Sequence, residues 1–362
     1  MKIGLLLFKN VIGGVQTVSL TIAKLLREQG HEVFFIFAFV DNDPNTKKIE
    51  IPLDFNIYEQ PYDIRQISVK DTISFIAKII NDNQPDLVIS TFLEESYLLL
   101  KARRYVNKKF KIIMMNHTGT CYKYNSFWEH RIFQIYNQAD ALVTVTKTDE
   151  FFYQPHLNIP VVTINNLPNE GFYSKINAFE QLRNKKILSL GRLVKEKGFD
   201  ILIKAFSKVN EDGWTLHIYG DGPEKDLLEN LIINNKMENK IFLHDFTQNV
   251  PETMNEHEML IFPSLFESYG MVLLEGLLMG MPSISFNCPN GPAIIEAELP
   301  GSFILVPPEN EELLGLEIKN LINDENKRKQ LSQLARQYRQ IINKENNEYL
   351  WAELFKKIFN NK

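Results

Sequence analysis

The sequence predicts an α/β protein of two doubly wound domains. Three observations lead there. At 362 residues the chain exceeds what one ordinary hydrophobic core serves. Both halves open on the same series of apolar run, glycine turn and helical stretch. The apolar runs are short and end at turn residues, as buried strands do.

Composition narrows the class. Hydrophobic residues make up 44% and charged residues 23%, ordinary for a globular protein. A net charge of −5 argues against wholesale nucleic-acid binding. The two cysteines, Cys121 and Cys288, are far apart and in no metal-like spacing, which suits a reducing compartment without a disulfide framework. Ile3 to Phe8 is too short for a signal peptide, and no apolar run approaches the roughly 18 residues of a membrane span.

In the first half, Lys2 to Phe8 reads as a strand running into Gly13-Gly14. A helix from about Val15 to Gln29 follows, with Val18, Ile22, Leu25 and Leu26 inward and Gly30 as its stop. His31 to Val40 is the second strand. The glycine pair lets backbone approach a ligand or makes a plain tight turn; the full dinucleotide fingerprint is absent. Asp41-Asn42-Asp43 has the Asp-x-Asp form of a metal-diphosphate site but continues into Pro44-Asn45, so it reads as a solvated turn. Asp71 to Asn81 is an amphipathic helix, Pro85 to Thr91 a strand and Leu93 to Arg104 another helix. Lys111 to Met115 is a strand that leads to His117, placed where such sheets bind ligands or where a structural histidine is buried. Lys101 to Lys111 holds six basic residues and no acid, with Tyr105 and Phe110 interleaved. With Tyr122, Tyr124, Phe127 and Trp128 beyond, this suits an anionic membrane surface or an ordinary solvated helix end. Gln138 to Thr146 is read as the last strand of the sheet, Pro160 to Ile164 as the way out, and Asn165 to Ser174 as the linker.

The second half opens with the strand Lys186 to Leu190 and the turn Gly191-Arg192-Leu193-Val194-Lys195-Glu196-Lys197-Gly198, then a helix over Asp200 to Val209. Two fixed cations at the end of a parallel strand can clamp a diphosphate. Trp214 to Tyr219 and Ile241 to Leu243 are further strands, with a helix from Pro223 to Asn234 between them. The most informative stretch is Pro263 to Pro282. Leu260 to Phe262 is a strand, Leu265 to Ser268 a loop carrying Glu267, and Gly270 to Met279 a helix stopped by Gly280. The free N–H groups of Tyr269, Gly270, Met271 and Val272 would face an anion. Glu267 and Glu275 bracket this turn and suit a ligand with hydroxyls as well as phosphates; the alternative is that both are solvated helix-end residues. Ser283 to Phe286 is a strand. Glu311 to Asn323 and Asn326 to Asn343 read as surface helices. A final helix, Glu348 to Phe359, carries Trp351, Leu354, Phe355 and Ile358 at helical spacing.

Glu267 and Glu275, with Gly280 and Pro282 behind them, resemble the donor-site signature of the retaining glycosyltransferases of family 4. Gly191-Arg192 with Lys197-Gly198 resembles that family's phosphate motif, Gly13-Gly14 its opening loop, and Cys288 to Pro292 a loop of its members that transfer galactose-type or N-acetylhexosamine sugars. In the last, Ile294 stands where many members carry Glu. The resemblance implies the GT-B fold, two Rossmann-like domains facing a central cleft. Residues 1–168 would form the acceptor side and 169–344 the nucleotide-sugar domain, with helix 345–362 crossing back to the first. It implies a transferase moving a hexose or N-acetylhexosamine from a nucleotide diphosphate sugar, UDP-linked, to a glycan or lipid-linked acceptor. Glu267, Arg192, Lys197 and His117 would be catalytic. Glu275, Gly14, Ser268, Tyr269, Gly270, Met271 and Gly191 would bind the donor. No metal or other cofactor is expected. Other expected partners are an anionic membrane at the inner face of the plasma membrane of a cytoplasmic protein, and no nucleic acid. The rival readings are an inactive homologue serving as a binding or chaperone subunit of another transferase, and a nicotinamide-dependent oxidoreductase. The intact Glu267, Glu275, Arg192 and Lys197 speak against the first and the missing glycine fingerprint against the second.

Overall fold

A computed structural model describes residues 1–41, 47–63, 65–119, 131–168, 171–172, 184–209, 211–288 and 290–360. The chain divides into two units, Met1–Asn169 with Asn343–Lys362, and Glu170–Ile342.

The first unit is a seven-stranded parallel sheet. Its strands are β1 (Lys2–Lys9), β2 (Glu32–Phe39), β3 (Asn56–Glu59), β4 (Leu87–Ser90), β5 (Lys111–Asn116), β6 (Ala141–Thr144) and β7 (Val161–Thr163), in the order β3-β2-β1-β4-β5-β6-β7. Each described pair is parallel. Central strands are apolar throughout because helices cover both faces: Ile3, Leu5 and Leu6 of β1 and Ile112, Ile113 and Met114 of β5 are all buried. The strand order turns back between β1 and β4, which places the ligand end of the unit above their C-termini.

The sheet corrects several expectations. Its last strand is β7, not Gln138 to Thr146; Val161 pairs with Leu142 and Thr163 with Thr144. Three β-branched residues suffice for an edge strand, but they are too few to show a period in sequence. β3 also escapes the sequence reading, because its residues are exposed or half-buried and show no apolar run. In the basic stretch after the helix Leu93–Ala102, Arg103, Arg104, Tyr105 and Lys109 are exposed, and other members are tied into the fold. Phe110 is core, Lys108 pairs with Asp86 at 3.1 Å, Lys111 pairs with Asp140 at 2.8 Å, and Lys101 lies over the Tyr97 ring. That helix leaves the C-terminal end of β4, so the patch lies at the opposite end of the sheet. Tyr122, Tyr124, Phe127, Trp128, Asp43 and Cys121 lie outside the described residues. No helix among the described residues is long and apolar enough to cross a membrane.

The final helix, Lys344–Asn360, belongs to the first unit. Trp351, Leu354, Phe355 and Ile358 are buried. Gln29 donates to the Glu348 carbonyl at 2.9 Å, and the Phe355 ring meets His31 edge-on at 5.6 Å.

The second unit repeats the plan with six parallel strands: β8 (Lys186–Leu190), β9 (Thr215–Tyr219), β10 (Ile241–His244), β11 (Met259–Phe262), β12 (Ser283–Phe286) and β13 (Ile304–Val306), ordered β10-β9-β8-β11-β12-β13. Its switch point lies between β8 and β11. The sequence reading missed β13 and a helix over Gly291–Glu298, although Pro292 in its first turn is a start signal. The helix expected over Asn326 to Asn343 is interrupted: Glu325–Arg336 is followed by a separate turn at Tyr338–Ile341, where buried Tyr338 bonds Glu298.

Burial holds several histidines neutral. His117, buried at the end of β5, is pushed down to about 4 by burial alone. His217 and His257, in an imidazole cluster with His244, are pushed down to about 4 by burial first; for His217 the charges of His257 and His244 add to it. A lowered histidine value means that the unfolded chain binds more protons. Stability is then complete above the unfolded value of about 6.5 and declines as pH falls toward 4. Buried Glu95 and Glu275, both pushed up to about 8, act in the opposite sense over the same range, so the rings are checked one by one. In an NMR titration from pH 7.5 to pH 5 the His117, His217 and His257 ring signals should keep their neutral-form shifts, and a ring that titrates near the ordinary value of about 6.5 would contradict its placement.

Candidate active site

Two turns build the site of the second unit, one after β8 and one after β11, either side of the switch point. The first begins where the Gly191 N–H donates to the Tyr219 carbonyl at 3.1 Å, tying the end of β8 to the end of β9. Arg192 is exposed and makes no side-chain bond among the described residues. Lys195–Lys197 forms one 3-10 turn, closed by Gly198 at φ 63°. A Cβ at Gly198 would lie 2.2 Å from the Pro263 carbonyl oxygen, so the two turns touch through backbone and only glycine fits. The Leu265 N–H, donating to the Glu196 carbonyl at 2.8 Å, joins them again.

This contact brings Lys197 to Glu267. The ammonium and carboxylate form an ion pair, with the lysine side chain 23% and the glutamate 12% exposed. The loop after β12 supports Glu267 from the other side. Asn290 forms an isolated parallel bridge with Glu267, in a left-handed backbone at φ 69°. Beside it, a Cβ at Gly291 would come within 2.5 Å of the Tyr269 carbonyl oxygen. The Cys288 thiol is buried there and pushed up to about 12, by burial first and the Glu267 charge second.

Glu267 and Ser268 lead to a helix over Met271–Met279, entered through Gly270 at φ 84°. No side chain caps it and no acid stands in its first turn. The Gly270 carbonyl receives the Leu274 N–H at 3.1 Å, which leaves the N–H groups of Met271, Val272 and Leu273 outside the helical ladder. Tyr269 contributes backbone only, since its ring is 2% exposed. Glu275 is buried on this helix, and burial pushes its carboxyl up to about 8. An anion at the helix start and a hydroxyl pair at Glu275 would satisfy both groups.

Gly191, Arg192, Lys197, Glu267, Ser268, Tyr269, Gly270, Met271 and Glu275 therefore share one end of one sheet. Gly14 and His117 belong to the first unit. Gly14 begins the helix after β1, and a Cβ there would meet nothing within 4 Å, so the chain's own packing does not demand glycine. His117 follows β5 with its Nε2 enclosed and unmatched. Asp41, the described half of the Asp-x-Asp pair, forms an ion pair with Lys9 at 3.0 Å. Sequence reasoning missed the support that Asn290 gives Glu267; the Asn290-Gly291 dipeptide was the available signal.

Two parallel doubly wound units, the second with an anion-ready switch point beside two carboxylates, define the GT-B class of group-transfer proteins. Comparison with known proteins agrees. Residues 12–169 match the model of Glycosyltransferase Family 4, and residues 174–338 that of Glycosyl transferases group 1. An uncharacterized glycosyltransferase of Haemophilus influenzae is 27% identical over 338 residues, covering 90% of this chain and 91% of its own. An amylovoran biosynthesis glycosyltransferase of Erwinia amylovora is 23% identical over 328 residues, covering 89% and 90%. The crystal structure of Anabaena HepE in complex with UDP and glucose shares the fold with a TM-score of 0.79 at 18% identity, covering 98% of this chain and 99% of that one. The chain is a glycosyltransferase with the GT-B fold.

The Gly198 contact gives a direct check. Gly198→Ala would place a side chain in a left-handed conformation and against a carbonyl. It should cost about 2–4 kcal/mol in urea unfolding of the second unit. An unchanged transition would mean that the two turns are not in backbone contact.

Proposed function

We propose that this protein is a retaining glycosyltransferase that moves a hexose or N-acetylhexosamine from a UDP-sugar to a glycan or lipid-linked acceptor. The observation that carries the reading is the Lys197–Glu267 pair, set beside an uncapped helix start at the switch point of the second sheet. A cation and free amides suit a diphosphate, and a carboxylate in the same place suits sugar hydroxyls. HepE, crystallised with UDP and glucose, supports the choice of nucleotide. The Erwinia relative, named for amylovoran biosynthesis, supports a glycan product.

In this reading the bond between the anomeric carbon and the phosphate oxygen breaks, and one from that carbon to the acceptor oxygen forms on the same face. The departing diphosphate gains charge. Arg192, Lys197 and the amides of Met271 to Leu273 receive it without reorganisation. The leaving phosphate oxygen takes the acceptor proton. Lys197 exchanges Glu267 for phosphate when the donor enters, which frees Glu267 to hold the transferred sugar. Glu275 takes the ribose hydroxyls, Gly14 lets the opening loop approach the donor, and His117, neutral at pH 7, faces the donor sugar. Fixed cations and the helix start do the work a divalent metal would do, so no cofactor is needed.

The test is release of UDP from UDP-glucose and UDP-N-acetylglucosamine, beside GDP- and ADP-linked controls. We expect turnover with a UDP-sugar, unaffected by EDTA, and a loss of about 10²–10³ in rate for Arg192→Ala, as for one oxyanion donor. Wild-type rates in that variant, or activity that EDTA abolishes and Mg²⁺ restores, would refute the metal-free clamp.

The two glutamates should separate. The free Glu275 carboxyl titrates at about 8, so it is protonated at pH 7. Ribose hydroxyls donating to it favour its ionised form, and UDP binding should release about one proton. Calorimetry at pH 7 in buffers of different ionisation enthalpy measures that release, which Glu275→Gln should abolish while weakening UDP binding. Glu267→Ala should keep UDP affinity and lower turnover, because the sugar is no longer held as positive charge develops on its reacting carbon. The opposite pattern would reverse the two roles.

A further inference from the structure

In the second unit, one short segment, Arg336 to Arg339, reaches both ends of the helix Met271–Met279. At the C-terminal end, Arg339 Nε donates to the Leu278 carbonyl at 2.7 Å. The last carbonyls of a helix lack partners within it, and a cation there suits the negative end of the dipole. Gly280 closes that end at φ 81°. A Cβ on Gly280 would lie 2.7 Å from Arg336 Nε, so the Arg336 side chain rests directly on the stop.

At the other end the hold runs through two tyrosines. Tyr338 is 0% exposed, and its hydroxyl bonds both the Glu298 carboxyl and the Tyr269 hydroxyl. A phenol has one proton to give. Given to Glu298, it leaves the Tyr338 oxygen to accept the proton of Tyr269. Burial, and then the neighbouring Tyr269 and Glu298, push the Tyr338 hydroxyl well above the ordinary phenol range, so it keeps that proton. Phenylalanine at both positions would fill the same core without enclosing two hydroxyls and part of a carboxyl, which is costly.

Tyr269 is fixed from two directions. Its carbonyl oxygen lies where a Cβ on Gly291 would come within 2.5 Å of it. Gly291 and Glu298 are the first and last residues of one helix. Tyr269 therefore meets the start of that helix with its backbone and the end of it through Tyr338. Directly after Tyr269 come the left-handed Gly270, at φ 84°, and the amides of Met271, Val272 and Leu273 that the helical ladder leaves out. A hydrogen bond weakens steeply as its donor turns away, so the setting of this turn decides what the amides can hold.

We propose that Tyr338 is a positioning residue: acting through Tyr269, it fixes the turn that aims the Met271 to Leu273 amides, while Arg339 holds the far end of the same helix. That these amides receive a diphosphate rests on the donor reading above; that Tyr338 fixes the turn does not.

Tyr338→Phe and Tyr269→Phe each remove one hydroxyl and keep the ring. UDP affinity is measured by calorimetry on the whole chain and uridine affinity by saturation-transfer NMR, since uridine carries no phosphate to meet the amides. Each variant should lose about tenfold for UDP, the worth of one charge-assisted bond, and stay within about twofold for uridine. The double variant should lose no more than the larger single loss, because the two hydroxyls act as one chain. In the ligand-free protein, the Leu274 amide closes the first helical turn on the Gly270 carbonyl at 3.1 Å. Its hydrogen exchange should accelerate in Tyr338→Phe by a larger factor than that of the Leu260 amide in β11. A merely structural role would move both ligands, or both amides, by the same factor, and either result overturns the proposal. UDP affinity unchanged in Tyr269→Phe, or losses that add in the double variant, overturn it as well. Wild type that binds no nucleoside diphosphate, with Leu274 exchange selectively raised in Tyr338→Phe, would instead sink the proposed donor and leave Tyr338 as the residue that fixes this turn.

Discussion

The site of the second unit depends on one backbone contact. Gly198 closes the turn after β8 so near the Pro263 carbonyl that no side chain fits between them. β8 and β11 are hydrogen-bonded neighbours although three helices and two strands separate them in the chain. The turns beyond them must therefore share the space above the sheet. Glycine lets them share it at backbone distance, and that distance puts Lys197 within reach of Glu267. The bridge to Asn290 then fixes the Glu267 backbone, three residues before the helix start at Gly270.

Charge is arranged around this contact with restraint. The ammonium of Lys197 is matched by a carboxylate that a ligand can displace. Glu275 and His117 sit where burial removes their charge at neutral pH. Arg192 stays in water, with its charge uncommitted to a side chain among the described residues. The ligand-free chain thus keeps few unpaired charges in low-dielectric surroundings, where each would be expensive. A diphosphate brings the charge that completes the arrangement.

Most of the architecture was legible because parallel strands covered on both faces leave continuous apolar runs. β1, β4, β5, β8 and β11 all carry that mark. β3, β7 and β13 do not: they are edge strands or neighbours of an edge, three or four residues long, with mixed exposure. The interruption before Tyr338 was invisible for another reason. Helical periodicity continues through Arg336 and Tyr338, and a buried tyrosine bonding Glu298 from another helix breaks it. Phe110 looked like part of an exposed aromatic-basic run. It entered the core because it immediately precedes β5, and its basic neighbours Lys108 and Lys111 met Asp86 and Asp140.

The sequence alone determined the two-unit α/β plan, the glycine turn carrying Arg192 and Lys197, and the helix start flanked by Glu267 and Glu275. These are local patterns, written in spacing and residue type within about twenty positions. Tertiary structure decided which of those groups meet and in what state of charge. Only strand order sets β8 beside β11 and so joins Lys197 to Glu267 across seventy residues. Only burial tells Glu275 from the chain's other helix glutamates: in the folded chain its carboxyl loses water and keeps its proton.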